Sequence, residues 1–136
     1  MVDIKVYIRF TTEFVNEYGE THTGIFSALR FVREWSLTQD EDVQKLKELR
    51  SWFNVNLEAP SRFSNASNKS PAAVSLSWFK DTSKEHIKKI YEIREVLNKY
   101  GIIVEVVTTK NPGYIVYEDD CQISAIPFKN DRKKVL

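Results

Sequence analysis

The stretch VSLSWFKDTSKEHIKKIYEIREVLNKYG, residues 74–101, changes its apolar period once, and that change decides the fold class. Val74, Leu76 and Trp78 alternate with Ser75, Ser77 and Phe79, the period of two expected of a strand. From residue 82 the spacing becomes helical. Ile87, Ile90, Ile93, Leu97 and Tyr100 fall on one stripe, with Tyr91 beside it. Thr82-Ser83-Lys84-Glu85 has the T-x-x-E form of a capping box, in which the hydroxyl bonds a free helix amide and the carboxylate reaches back. Gly101 supplies the positive φ at which helices commonly stop. A strand feeding a long capped helix implies a mixed fold with that helix packed on a sheet.

Downstream, residues 102–109 are rich in β-branched side chains and predict a strand. Asn111-Pro112-Gly113-Tyr114 fits a type II turn, followed by a strand over 114–117 and a return strand over 121–128. The last three strands are expected to form an antiparallel meander. Upstream, Ile4, Val6, Ile8 and Phe10 alternate with Lys5, Tyr7 and Arg9, predicting a strand with the aliphatic set in the core. Residues 11–23 read as a loop. Thr23 is the expected cap of a helix carrying Ile25, Phe26, Leu29, Val32 and Trp35 on its stripe, with Arg30 and Arg33 outside it. Thr38-Gln39-Asp40-Glu41 repeats the capping box before Val43, Leu46, Leu49 and Phe53. The expected fold is α+β: a mostly antiparallel sheet of four to five strands with three helices packed on one face, in the order β-α-α-β-α-β-β-β.

The 136 residues fit a single compact domain over 1–128. A Ser- and Asn-rich polar loop at 58–71 reads as a flap, and 129–136 as a basic frayed tail. With 42% hydrophobic residues the chain has material for a core, and its one cysteine, Cys121, excludes an internal disulfide framework. No apolar run has the length of a membrane span and the first residues lack a secretory h-region, so a cytoplasmic protein is expected. Formal net charge is +1: residues 1–57 hold 7 basic and 9 acidic side chains, and residues 58–136 hold 13 and 10. That balance lacks the clustered cations of a duplex nucleic-acid binder.

Thr23-Gly24-Ile25-Phe26, Trp52-Phe53, Trp78-Phe79-Lys80-Asp81, Glu85-His86-Ile87, PGYIVYED at 112–119, Gln122 and Ala125 through Phe128 form a composite pattern over residues 9–128. It resembles a widespread group of bacterial proteins of similar length with no established activity. The resemblance implies a bacterial or phage origin and carries over no catalytic residue.

Chemistry-bearing residues are sparse. His22 and His86 are the only histidines, without the spacing of a transition-metal site. His86 falls near the positive end of its helix, a placement that favours a neutral ring suited to proton transfer. Asp81 and Glu118 are the carboxylates that would complete a catalytic pair with either histidine, in a small hydrolase or transferase. Glu118-Asp119-Asp120 also reads as a solvated turn. No phosphate-binding glycine loop or nucleophile elbow is present. Trp52-Phe53 and Trp78-Phe79 are adjacent aromatic pairs, so one member of each should leave the main core. The leading expectation is a non-catalytic binder or regulator that captures a nucleotide-like or other anionic small molecule, or blocks a protein partner. Its expected ligand site is Arg9, Arg62, Trp78, Phe79 and Lys80, with no metal and no cofactor. A structural oligomerisation module is the third class.

Overall fold

The computed structural model describes residues 4–60 and 75–128. The expected loop, from residue 61 on, lies outside the described residues, as do Arg62, Val74 and the 129–136 tail. The described elements are β1 (Tyr7–Val15), β2 (Thr21–Thr23), α1 (Ile25–Glu34), α2 (Asp40–Asn56), β3 (Leu76–Lys80), α3 (Lys84–Lys99), β4 (Val104–Thr109), β5 (Tyr114–Glu118) and β6 (Gln122–Ile126). The class is α+β, with three helices and six strands among these residues rather than four or five. The chain divides into two compact units. Among the described residues the first comprises 4–9, 58–60, 75–84 and 107–128, and the second 10–57 and 85–106.

In the first unit, antiparallel pairing joins the start of β1 to β3, β3 to β6, and β6 to β5. Tyr7 sits opposite Lys80 and Ile8 opposite Phe79, while Trp78 faces Ile123 and Leu76 faces Ala125. Directly opposed residues share a sheet face. The core of this unit is accordingly one such face, with Tyr7, Trp78, Ile123 and Ala125 buried together and Leu76 and Val107 against them. The expected face holds only in part: Tyr7 is buried and Ile4, ahead of the strand, is 66% exposed, whereas Val6 and Ile8 are half-buried, Phe10 is buried and Lys5 is exposed. Aliphatic alternation marks two faces of a strand, but only the neighbouring strand decides which one is covered. Residues 119–121 join β5 to β6 as expected, and the stretch entering β5 needs glycine at Gly113. Its φ is +120°, and a Cβ there would run into the backbone carbonyl of Ile126. The expected three-strand meander does not form, because β4 pairs with β1 instead of β5.

In the second unit, β1 and β2 make a hairpin where a loop was expected, with Glu13 opposite Thr23 and Phe14 opposite His22. Asn16 organises its turn. Its Oδ1 accepts the amides of Tyr18 and Glu20, both at 2.9 Å, and Nδ2 donates to Glu20 Oε1 at 3.0 Å. Along this part of β1 the buried residues are Phe10, Thr12 and Phe14, on the opposite parity from Tyr7.

Both helices of the αα-hairpin start differently from expectation. Thr23 remains in β2 and Gly24, at φ +103°, takes the cap position of α1. Gln39 precedes α2, and Thr38 turns its hydroxyl back to donate to the Val32 carbonyl at 2.6 Å. The start of α2 carries no side-chain cap hydrogen bond. For α3, helix begins at Lys84, so Ser83 rather than Thr82 precedes it, and its buried hydroxyl donates to the Cys121 carbonyl at 2.8 Å. The apolar stripes hold. Ile25, Ala28, Leu29 and Val32 of α1, Leu46, Leu49 and Phe53 of α2, and Ile90, Ile93, Val96 and Leu97 of α3 are buried.

Candidate functional site

The expected ligand residues lie in the first unit, apart from Arg62. By strand alternation Arg9 shares the face of Tyr7 and therefore of Trp78 and Lys80. Trp78 is 1% exposed and belongs to the core rather than to a wall. Lys80 Nζ lies 2.7 Å from Glu118 Oε2, so its charge is compensated. Arg9 donates from Nη1 to the Ser77 carbonyl at 3.0 Å, and burial pulls its guanidinium below its usual pKa. Phe79 is half-buried on the other face. The structure thus brings Arg9, Trp78 and Lys80 to one face, but it leaves Arg9 as the only cation among them without a carboxylate.

The catalytic candidates fall into different units. Glu118 and Asp81 belong to the first. Glu118 is held by Lys80, and the Asp81 amide donates to the Val6 carbonyl at 3.1 Å. The histidines belong to the second. His22 lies on β2 with its ring stacked on Phe14 and Nε2 3.1 Å from Asn16 Nδ2. His86 Nε2 lies 2.7 Å from the Asn56 carbonyl, which can only accept, so this nitrogen carries a proton. Its ring lies edge-on to Trp52 at 4.8 Å. The arrangement ties the end of α2 to the start of α3. Among the described residues no group of three His, Cys, Asp or Glu side chains is placed to hold a metal ion.

The carboxylate triplet has a structural centre. Asp119 Oδ1 accepts from the amides of Cys121 and Gln122 and from the Cys121 thiol; Oδ2 accepts from the Tyr117 hydroxyl and Gln122 Nε2. Burial alone would raise the Asp119 pKa. The Cys121 amide, the Gln122 amide group, the Tyr117 hydroxyl and the Cys121 thiol override it and hold the carboxyl at about 2. The Cys121 thiol is pushed up to about 12, first by burial and then by its bond to Asp119. A thiol so held is a structural donor, not a nucleophile.

The second unit contains a cationic cleft that the sequence reading did not single out. Its walls are the flanks of α1 and α2: Phe26, Ser27, Leu29, Arg30 and Arg33 from α1, and Arg50 from α2, around a cavity of about 210 Å³. The apolar stripes position it. Leu29 and Val32 bury one side of α1, which leaves Arg30 and Arg33, three residues apart, neighbours on the flank. Leu49 and Phe53 bury α2, and Arg50 emerges beside them. Phe26 joins the helices, packing edge-on against Phe53 at 5.2 Å and carrying the Arg50 guanidinium over its face at 4.6 Å. Stacking of this kind fixes the guanidinium plane while leaving its N–H edges available. Arg33 Nη2 lies 3.6 Å from Glu34 Oε1, whose side chain is 66% exposed. Among the described residues neither Arg30 nor Arg50 pairs with a carboxylate.

A second cavity of the same unit, about 280 Å³, is lined by Tyr91, Arg94, Glu95, Asn98, Ile103 and Val104. Its arginine is already engaged, donating from Nε to the Val104 carbonyl at 2.9 Å and lying over the Tyr91 ring. It therefore offers no uncommitted charge comparable with the first cleft. Among the described residues no helix is long and apolar enough to cross a membrane. In comparisons with known proteins the chain matches no family model, no curated protein and no solved structure.

Proposed function

We propose that this chain is a non-catalytic, cytoplasmic binding protein that captures an anionic group, and that its binding site is the α1/α2 cleft. The observation that carries the reading is the convergence of Arg30, Arg33 and Arg50 on one open cavity whose lining residues include no carboxylate, Glu34 pairing only with Arg33 at 3.6 Å. Like charges gathered without counter-charges repel one another, and an anion relieves that repulsion. The expected strand site supports the same function less well, because Glu118 neutralises Lys80 and Trp78 is enclosed. The enzyme reading has less support still, since Glu118 is paired and the His86 Nε2 proton is donated to a backbone carbonyl.

Equilibrium dialysis against radiolabelled inorganic phosphate tests the proposal. Arg30→Ala combined with Arg50→Ala should abolish retention of phosphate while leaving the thermal midpoint nearly unchanged. Arg9→Ala should leave retention intact. Rising salt should weaken binding, as screening predicts for exposed charges. Loss of phosphate on Arg9→Ala with retention in the double variant would move the site to the strand face.

A further inference from the structure

We infer that the group taken by this cleft is a phosphomonoester in its doubly charged form; the inference rests on the reading of the cleft as an anion site. Charge is the first argument. Three guanidinium groups against one carboxylate, Glu34, leave a local excess of two positive charges. A dianion balances that excess, whereas a single carboxylate or sulfate ester leaves one cation uncompensated in the cleft.

Geometry is the second argument. The donors come from two helices, Arg30 and Arg33 on α1 and Arg50 on α2, and the Ser27 hydroxyl lies on the same α1 wall. A planar carboxylate is satisfied by one guanidinium fork. Three terminal oxygens on a tetrahedral phosphorus accept from several directions at once. The choice of arginine throughout also fits, because the guanidinium matches phosphate oxygens in pairs and sheds its hydration more readily than an ammonium.

Size gives the third. Pockets that enclose a whole small molecule commonly measure about 300–1,000 Å³. At about 210 Å³ this cleft takes the phosphoryl end and leaves the remainder of the ligand outside. One face of Phe26 is already covered by Arg50 and is not open for a base to stack on. The phosphoryl group alone is the recognised element, whether it comes from a small metabolite or from a phosphorylated side chain.

Calorimetric titration of the full chain with phenyl phosphate, phenyl sulfate and malonate, each at pH 7.5 and pH 5, tests the inference. The charged residues lining the cleft are Arg30, Arg33 and Arg50, with Glu34 paired to Arg33 and no histidine among the lining residues. The second ionisation of a phosphomonoester lies near pH 6, so its affinity should fall about tenfold between those pH values. Phenyl sulfate, singly charged throughout, should bind more weakly with a flat pH response. Arg50→Lys keeps the charge but loses the fork, and should weaken phenyl phosphate more than phenyl sulfate. A phosphoserine peptide that binds at least tenfold tighter than phenyl phosphate would assign the phosphoryl group to a protein partner; equal affinity would assign it to small molecules. Equal, pH-independent binding of all three anions would overturn the phosphomonoester inference while sparing the anion site. Binding of none of them would overturn both.

Discussion

Asp119 shows how much one side chain can fix. Its two oxygens take five hydrogen bonds from Tyr117, Cys121 and Gln122. Gln122 Nε2 also donates to the Glu58 carbonyl at 2.6 Å, which extends the network to the chain leaving α2. Because the folded carboxyl titrates near 2, below its unfolded value, its stabilisation is present above about pH 4 and is lost as pH falls towards 2. Asp119→Asn should cost about 1 kcal/mol at pH 7, allowing for solvent screening, and should flatten the acid limb of a stability profile measured by urea titration. A variant with an unchanged acid limb would show that Asp119 does not set it. The same network protects the thiol. With its pKa near 12, native Cys121 should react with iodoacetamide at pH 8 about a thousandfold more slowly than free cysteine, and mass spectrometry follows this directly. Rapid native alkylation would contradict the Asp119–Cys121 bond. Gly113→Ala should cost about 1–3 kcal/mol in the same urea assay, since it adds a strained φ to a collision with the Ile126 backbone. A neutral result would place the turn elsewhere.

At the scale of elements, the sequence exposes periods well and partners poorly. The buried sets of α1, α2 and α3 follow their stripes, because helical spacing is a local property. Strand β1 departs from its expected form twice, for non-local reasons. Its covered face depends on β3 and β6, and its continuation through Thr11, Thr12 and Glu13 lacks the aliphatic run that announces a strand. The pairing of β4 with β1 is equally absent from any local pattern. A capping-box pattern does not by itself fix a helix start: Gln39 rather than Thr38 precedes α2, and Ser83 rather than Thr82 precedes α3. The consequence is testable at the start of α3. Ser83→Ala should cost about 1 kcal/mol, as loss of a buried hydrogen bond, while Thr82→Ala at an exposed position should stay within about 0.5 kcal/mol. Ile90→Ala should exceed both, at about 2–5 kcal/mol, by opening a cavity in a fully enclosed site. Urea midpoints order the three; a Thr82 variant more damaging than the Ser83 variant would restore the capping box and refute the observed helix start.

For the molecule as a whole, bulk charge conceals the candidate site. The net charge is +1, and residues 1–57, which supply every residue of the arginine cleft, carry more acidic than basic side chains. The site becomes visible only when the αα-hairpin sets Arg50 beside Arg30 and Arg33, some twenty residues earlier in the chain. One signal was present in the sequence. Arg50 has no carboxylate three or four residues away on its helix, so helical spacing offers it no partner. On the strand face Lys80 and Trp78 are engaged by Glu118 and by the core, and both engagements are long-range. The most direct test of the account is an NMR titration of the amide-labelled chain with inorganic phosphate at pH 7.5 and low salt. Saturable shifts should centre on residues 26–33 and 49–53 and vanish in the Arg30→Ala, Arg50→Ala variant. Saturable shifts confined to the strands around Arg9 and Lys80, or no saturable shifts at all, would contradict it.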